Sequence, residues 1–238
     1  NTVFFICLEE MKSSYYLFLL LILFACQKAA DRRCIKSTGT DTSITYTFNE
    51  LLDTLFLHDD MIYEIIPSTE NKVVVHGGEN VISFIHVLAN NRRLNISNEN
   101  RCNFLRSFDR RIKVDIYTPD VRYIHYEGSE GIFSKDTIVN NSLRLRIRDG
   151  AGKMDLKVNV GYLECIVTHG WGDFELAGDA QLAYIVCQTN SFADTRKLTV
   201  HEGFSVLSIT QGDMFVNGNT KHLKFEVRRN GNIFYTGT

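Results

Sequence analysis

Proline is almost absent: only Pro67 and Pro119 occur in 238 residues, and no low-complexity linker divides the chain. One continuous domain is therefore favoured over two. Charge of a single sign is missing too. With 26 Lys and Arg against 28 Asp and Glu, the net charge of −2 gives no electrostatic case for a nucleic-acid partner. The six cysteines form no CxxC pair and no Cys/His cluster with zinc spacing, so no metal site is indicated. The histidines at 58, 76, 86, 125, 169, 201 and 222 are scattered, and none joins a Ser or Cys in a nucleophile motif. A phosphate loop and a dinucleotide fingerprint are lacking as well, and no cofactor is expected.

Long apolar runs are also missing. The stretch of eleven apolar or aromatic residues from Tyr15 to Ala25 is too short to span a bilayer. Preceded by Met11 and Lys12 and closed by Leu23-Phe24-Ala25-Cys26, it reads as a secretory signal over 11–25 with a lipobox-like ending. Cys26 is then the lipidated first mature residue, and residues 1–10 read as an over-extended start. Loss of Glu9, Glu10 and Lys12 from those totals leaves 25 basic and 26 acidic residues. Cys34, Cys102, Cys165 and Cys187 remain, with any pairing unassigned. Residues 26–44, polar and Ser/Thr-rich towards their end, read as a tether.

What the chain does have is a glycine returning about every twenty residues, at Gly131, Gly152, Gly172, Gly212 and Gly231. Apolar segments opening at Leu143, Leu163, Leu182, Phe204 and Leu223 keep the same spacing. Gly and Asn/Asp turns follow them, as at Asp149-Gly150-Ala151-Gly152 and His169-Gly170-Trp171-Gly172, and read as corners tolerant of positive φ. A second segment alternates with period two: Met154, Leu156, Val158 and Val160 against Lys153, Asp155, Lys157 and Asn159. Period-two alternation within a twenty-residue repeat excludes helical solenoids, and the leucine framework of leucine-rich repeats is missing. The prediction is an all-β fold, a right-handed parallel β-helix of about six coils of 19–22 residues over 121–238. Residues 45–120 supply strands and a cap within the single domain 45–238. Strands are predicted at 54–57, 61–66, 72–76, 93–97 and 111–117, and 81–85 fits either helix or strand. The last coil presents an open edge that a partner covers, or that is short enough to tolerate.

The order of features resembles a family of bacterial lipoproteins, the putative auto-transporter adhesins with a head GIN domain. The residues that carry the resemblance are the opening strand Phe48-Asn49-Glu50-Leu51, the segment from Lys72 to Asn80, a strand ending before Pro119, and the closing run from Asn230 to Gly237. It spans roughly residues 45–238. The sequence departs from the pattern at Asn190-Ser191-Phe192, where a glycine turn belongs, and at corner residues Ala151 and Trp171, where the family often has Ser. The resemblance implies a β-helix on the cell envelope, and the leading reading is a lipoprotein whose surface serves adhesion to, or organisation of, envelope or extracellular material, with no chemistry of its own.

Candidate binding residues are outward-facing. Arg144, Arg146 and Arg148 lie on one strand, suited to an anionic glycan or to a plain solvated face. Trp171, the only tryptophan, sits at a corner where it stacks on a ligand or folds back on Ala151. Asp155 and Glu175 occupy equivalent places on neighbouring rungs, at the separation of a retaining glycosidase pair. Read as an enzyme, the chain is a polysaccharide lyase or hydrolase; read plainly, these are surface acids screened by Lys153 and Lys157. The expected partners are an extracellular or envelope glycan or protein, the membrane through the lipid anchor alone, and a second copy at the C-terminal open edge. The outer membrane is the expected location, and a structural self-associating envelope component is the third reading.

Overall fold

We describe residues 37–100 and 111–237 of a computed structural model. The signal expected at 11–25, the over-extended start expected at 1–10, the lipidation expected at Cys26, most of the expected tether, Cys34 and Cys102 lie outside the described residues.

In chain order the strands are β1 (Asp41–Thr47), β2 (Thr54–Asp59), β3 (Ile62–Pro67) and β4 (Lys72–Gly78), followed by a short helix α1 (Glu79–Ile82). Then come β5 (Ile85–Asn90), β6 (Arg93–Asn98), β7 (Lys113–Thr118), β8 (Tyr123–Gly128), β9 (Ile132–Ser134) and β10 (Ile138–Arg148). The long strands β11 (Lys153–Thr168), β12 (Asp173–Thr189) and β13 (Ala193–Thr210) precede β14 (Met214–Asn217), β15 (His222–Val227) and β16 (Ile233–Thr236). Segment 81–85, which fits either helix or strand by pattern, ends α1 and begins β5.

The alternation predicted for the repeats is what winds them. Each turn lays one segment on a first face and one on a second, and the turns stack as parallel strands, forming a β-solenoid. Strands β11, β12 and β13 run unbroken round one corner, so each carries the second face of one turn and the first face of the next. Six turns follow one another from β8 onward. They are β8/β9, β10 with the start of β11, β11/β12, β12/β13, β13/β14 and β15/β16.

Inward side chains stack in columns. One runs Leu94, Leu55, Ile124, Leu145, Cys165, Ile185 and Val206, each essentially without solvent access, and ends on half-buried Phe225. Burial pushes the Cys165 thiol well above its ordinary value and Cys187 up to about 12, and both cysteines are free.

Two more turns lie before β8, and they are out of chain order. The turn β2/β3 sits between β8/β9 on one side and β6/β7 on the other. Beyond β6/β7, parallel stacking gives way to antiparallel pairs: β5 on β6, β4 on β7 and β1 on β4. Val81 and Ile82 of α1 join the same apolar core.

Two readings of the repeat need correction. Leu163 pairs with Ala183 rather than with Leu182, which points outward and is 47% exposed. The larger apolar residue marks the corner, and the smaller one fills the column. The recurring glycines, moreover, do not supply positive φ. That conformation falls on Asp59, Asp149, His169 and Thr189, whereas a Cβ on Gly152 would lie 1.7 Å from the Glu130 carbonyl oxygen of the preceding turn. Close approach between turns, not backbone handedness, requires glycine there.

At the far end the interior is open. Leu223, Val227 and Tyr235 are 37%, 50% and 60% exposed, although the repeat places them inward. Among the described residues no strand pairs with the outer edge of β15 or β16.

Candidate binding faces

Outward residues of the first face also form columns. One runs Arg93, Thr54, Tyr123, Arg144, Glu164, Tyr184, Ser205 and Lys224; its neighbour runs Asn95, Phe56, His125, Arg146, Ile166, Val186, Leu207 and Glu226. Strand pairing thus brings together side chains far apart in sequence. Phe56 meets Tyr123 edge-on at 6.0 Å and His125 at 5.4 Å, and the Arg93 guanidinium lies 5.9 Å from the Phe56 ring centre.

Two shallow depressions flank this aromatic cluster. One, of about 670 Å³, is lined by Phe56, Leu88, Asn90, Asn91, Arg93 and Asn95. The other, of about 330 Å³, is lined by Arg122, Tyr123, Asn140, Asn141, Ser142 and Arg144. Each combines an aromatic ring, at least one guanidinium and side-chain amides. Rings offer a flat apolar surface, amides bond hydroxyls in either direction, and guanidinium grips a carboxylate with two parallel bonds.

The guanidinium groups differ in what they already hold. Arg122 bonds Asp120 at 2.7 Å, and that contact holds the Asp120 carboxyl below the usual range. Arg148 pairs with Asp149 at 3.3 Å. Arg93, Arg144 and Arg146 have no carboxylate partner among the described residues. Of the three arginines singled out from sequence, two therefore face outward uncompensated and the third does not. Glu127 is held by His125 at 2.8 Å, which lowers its pKa. Trp171 stands 65% exposed at its corner, away from both depressions, and does not fold back into the stack.

On the second face Asp155 and Glu175 are in register, as the repeat predicts, and Asp194 follows on the next turn. This third carboxylate escaped notice because no glycine marks the corner before it. Lys153 bridges Glu175 at 2.8 Å and Asp155 at 3.2 Å, and Lys197 reaches Glu175 at 3.5 Å. Asp194 is held by Arg196 at 2.5 Å. These bonds hold the Glu175 and Asp194 carboxyls below their usual range. A glycosidase acid requires the opposite shift, so Glu175 and Asp194 are ion-paired carboxylates rather than poised proton donors. Among the described residues no cluster of His, Cys, Asp and Glu is placed to hold a metal ion, and no helix is long and apolar enough to cross a membrane.

Residues 52–238 match the model of the family described as putative auto-transporter adhesin, head GIN domain. The chain belongs to this family. Solved structures that share its fold include three bacterial proteins. A putative adhesin from Bacteroides fragilis NCTC 9343 is 16% identical with a TM-score of 0.66, covering 83% of this chain and 97% of that one. A putative adhesin from Parabacteroides merdae ATCC 43184 is 12% identical with a TM-score of 0.57, covering 85% and 99%. Another from Parabacteroides distasonis ATCC 8503 is 12% identical with a TM-score of 0.53, covering 83% and 98%. No curated protein matches the sequence. Phe56, Tyr123 and Arg93 were not singled out from sequence, since nothing local shows that 54–59, 93–98 and 123–128 lie side by side.

Proposed function

We propose that this protein is a non-enzymatic, lipid-anchored adhesin of the cell envelope that holds an acidic glycan along its first face. The observation that carries this reading is the pair of depressions with matching chemistry on either side of Phe56 and Tyr123, one lined by Arg93 and the other by Arg144, neither of which has a carboxylate partner among the described residues. Stacked turns lie roughly 4.8 Å apart, so Arg93 and Arg144, three turns apart in one column, stand roughly 14 Å from each other. A polymer with carboxylates on spaced sugars suits that separation; a single small anion does not. Anchoring rests on the signal-like segment at 11–25 and Cys26, and placement in the outer membrane rests on the adhesin family.

The test is binding of the full chain, held in non-ionic detergent, to uronate-containing and neutral polysaccharides of equal length. Acidic polymers should bind at least about tenfold more tightly, with affinity falling as salt rises. Arg144→Ala and Phe56→Ser should each weaken binding by about tenfold, since a charge-assisted bond or a stacked ring contributes on the order of 1–2 kcal/mol. Equal binding of neutral polymers, or indifference to both substitutions, would defeat the proposal. The enzyme reading returns if the chain releases unsaturated or reducing-end products and Asp155→Asn abolishes their release.

A further inference from the structure

The open last turn carries an interaction surface of its own, independent of the glycan reading. Parallel pairing makes the residues of a strand alternate in direction, and Arg228 N–H bonds the carbonyl of Ser208 at 2.8 Å. The even residues of β15 therefore direct their amide groups at β13. Leu223, Phe225 and Val227 hold N–H and C=O towards the open side, and their side chains stand at the inward positions. On the second face Met214 N–H bonds the carbonyl of Asn232 at 2.8 Å, which leaves Ile233 and Tyr235 in the same situation on β16. Among the described residues, one edge thus combines unpaired backbone groups with an uncovered apolar interior, the combination that recruits another strand.

The geometry points to a second copy of this chain as the occupant, docked end to end about a two-fold axis through Phe225. An antiparallel pair centred there sets Phe225 against its own copy as a hydrogen-bonded pair, using the amide groups that face outward. Leu223 then meets Val227 of the second copy on the inner side. On the outer side Lys224 stands opposite the second copy's Glu226, and the symmetry repeats that contact. Centring on residue 224 would oppose two lysines, and centring on 226 two glutamates, so charge selects the register. The Phe225 and Tyr235 rings lie 5.2 Å apart across the interior, so the same axis passes close to Tyr235 and brings both open strands to their copies together. His222 faces the second copy's Arg228 at the rim, where Arg228 keeps its 2.6 Å bond to Glu226.

The experiment is sedimentation velocity of the full chain in non-ionic detergent across a concentration series, with charge-reversed variants. Residues 224 and 226 point outward, so their reversal leaves the core untouched. The wild type should reach twice the chain mass. Lys224→Glu and Glu226→Lys should each raise the dissociation constant by about tenfold or more, because each places like charges opposite twice per dimer. The double reversal should return it to within about threefold of wild type. A species that stays monomeric, or a dimer indifferent to the single reversals, overturns the proposal. So does slow amide exchange at residues 223, 225 and 227 in the monomer, which would mean that another part of the same chain covers the end instead.

Discussion

Thr189 sits at φ +64° on a corner, where a β-branched side chain crowds its own backbone. Asp59, Asp149 and His169 take the same conformation on other turns, the first two with side chains that tolerate it better. Nothing in the described contacts of the Thr189 side chain offsets the strain; its carbonyl, which any residue would supply, accepts from Gln211 N–H and the Thr210 hydroxyl. Thr189→Asn should therefore raise the unfolding free energy by about 1 kcal/mol, seen as a higher urea midpoint with an unchanged slope. A lower midpoint would show that the threonine fills a packing role. Corners were legible in the sequence as Gly and Asn/Asp clusters, yet the reason for glycine was not. Whether a Cβ meets the carbonyl of the preceding turn depends on residues twenty positions away.

At the level of the strand, the column is the unit that decides stability. Ser208 occupies an inward place in the column of Val167 and Cys187, fully buried, and its hydroxyl has no hydrogen-bond partner among the described residues. A buried unsatisfied hydroxyl costs about 1–3 kcal/mol, so Ser208→Ala should stabilise the fold by about 1 kcal/mol. Loss of stability would mean that an ordered water satisfies that hydroxyl. Period-two alternation foretold most of these columns, including Met154, Leu156, Val158 and Val160. It failed at Leu182 and Ala183, because side-chain size suggested one register and backbone pairing adopts the other. The same dependence hid the binding candidates. Arg144 and Arg146 could be seen on one strand, whereas Phe56 and Arg93 join them only through strand order.

For the whole molecule, the interior is dry enough to hold protons. Burial raises the pKa of Tyr63, Tyr126, Cys165 and Cys187, so the native state keeps protons that the unfolded chain releases. The sign follows directly: stability is undiminished below the unfolded thiol value of about 8.5 and falls as pH rises beyond it. Each thiol alone contributes a loss of about 1.4 kcal/mol per pH unit in that window, with the tyrosines joining above about pH 10. Thermal unfolding at pH 8 and pH 10.5 should show a marked drop in Tm, and an unchanged Tm would contradict the buried placement. The twenty-residue period made the solenoid legible from Tyr123 onward, since each turn there pairs with the one before it. Earlier in the chain the period is broken by insertions, and no local pattern reports that a later turn is stacked outside an earlier one.

That inverted order constrains how the chain comes to be wound. The strand β2 needs β8 on one side and β6 on the other, partners 69 and 39 residues along the chain, whereas from β10 to β13 each strand finds its neighbour about twenty residues away. Closing the shorter loops loses less chain entropy, so the later coils assemble first and the earliest-synthesised coil is clasped last. Pulse-labelled hydrogen exchange during refolding should find amides of 143–210 protected before those of 54–59. On a chain made from its N-terminus onward, that first coil is left waiting, its greasy strand unsheltered until everything around it has arrived.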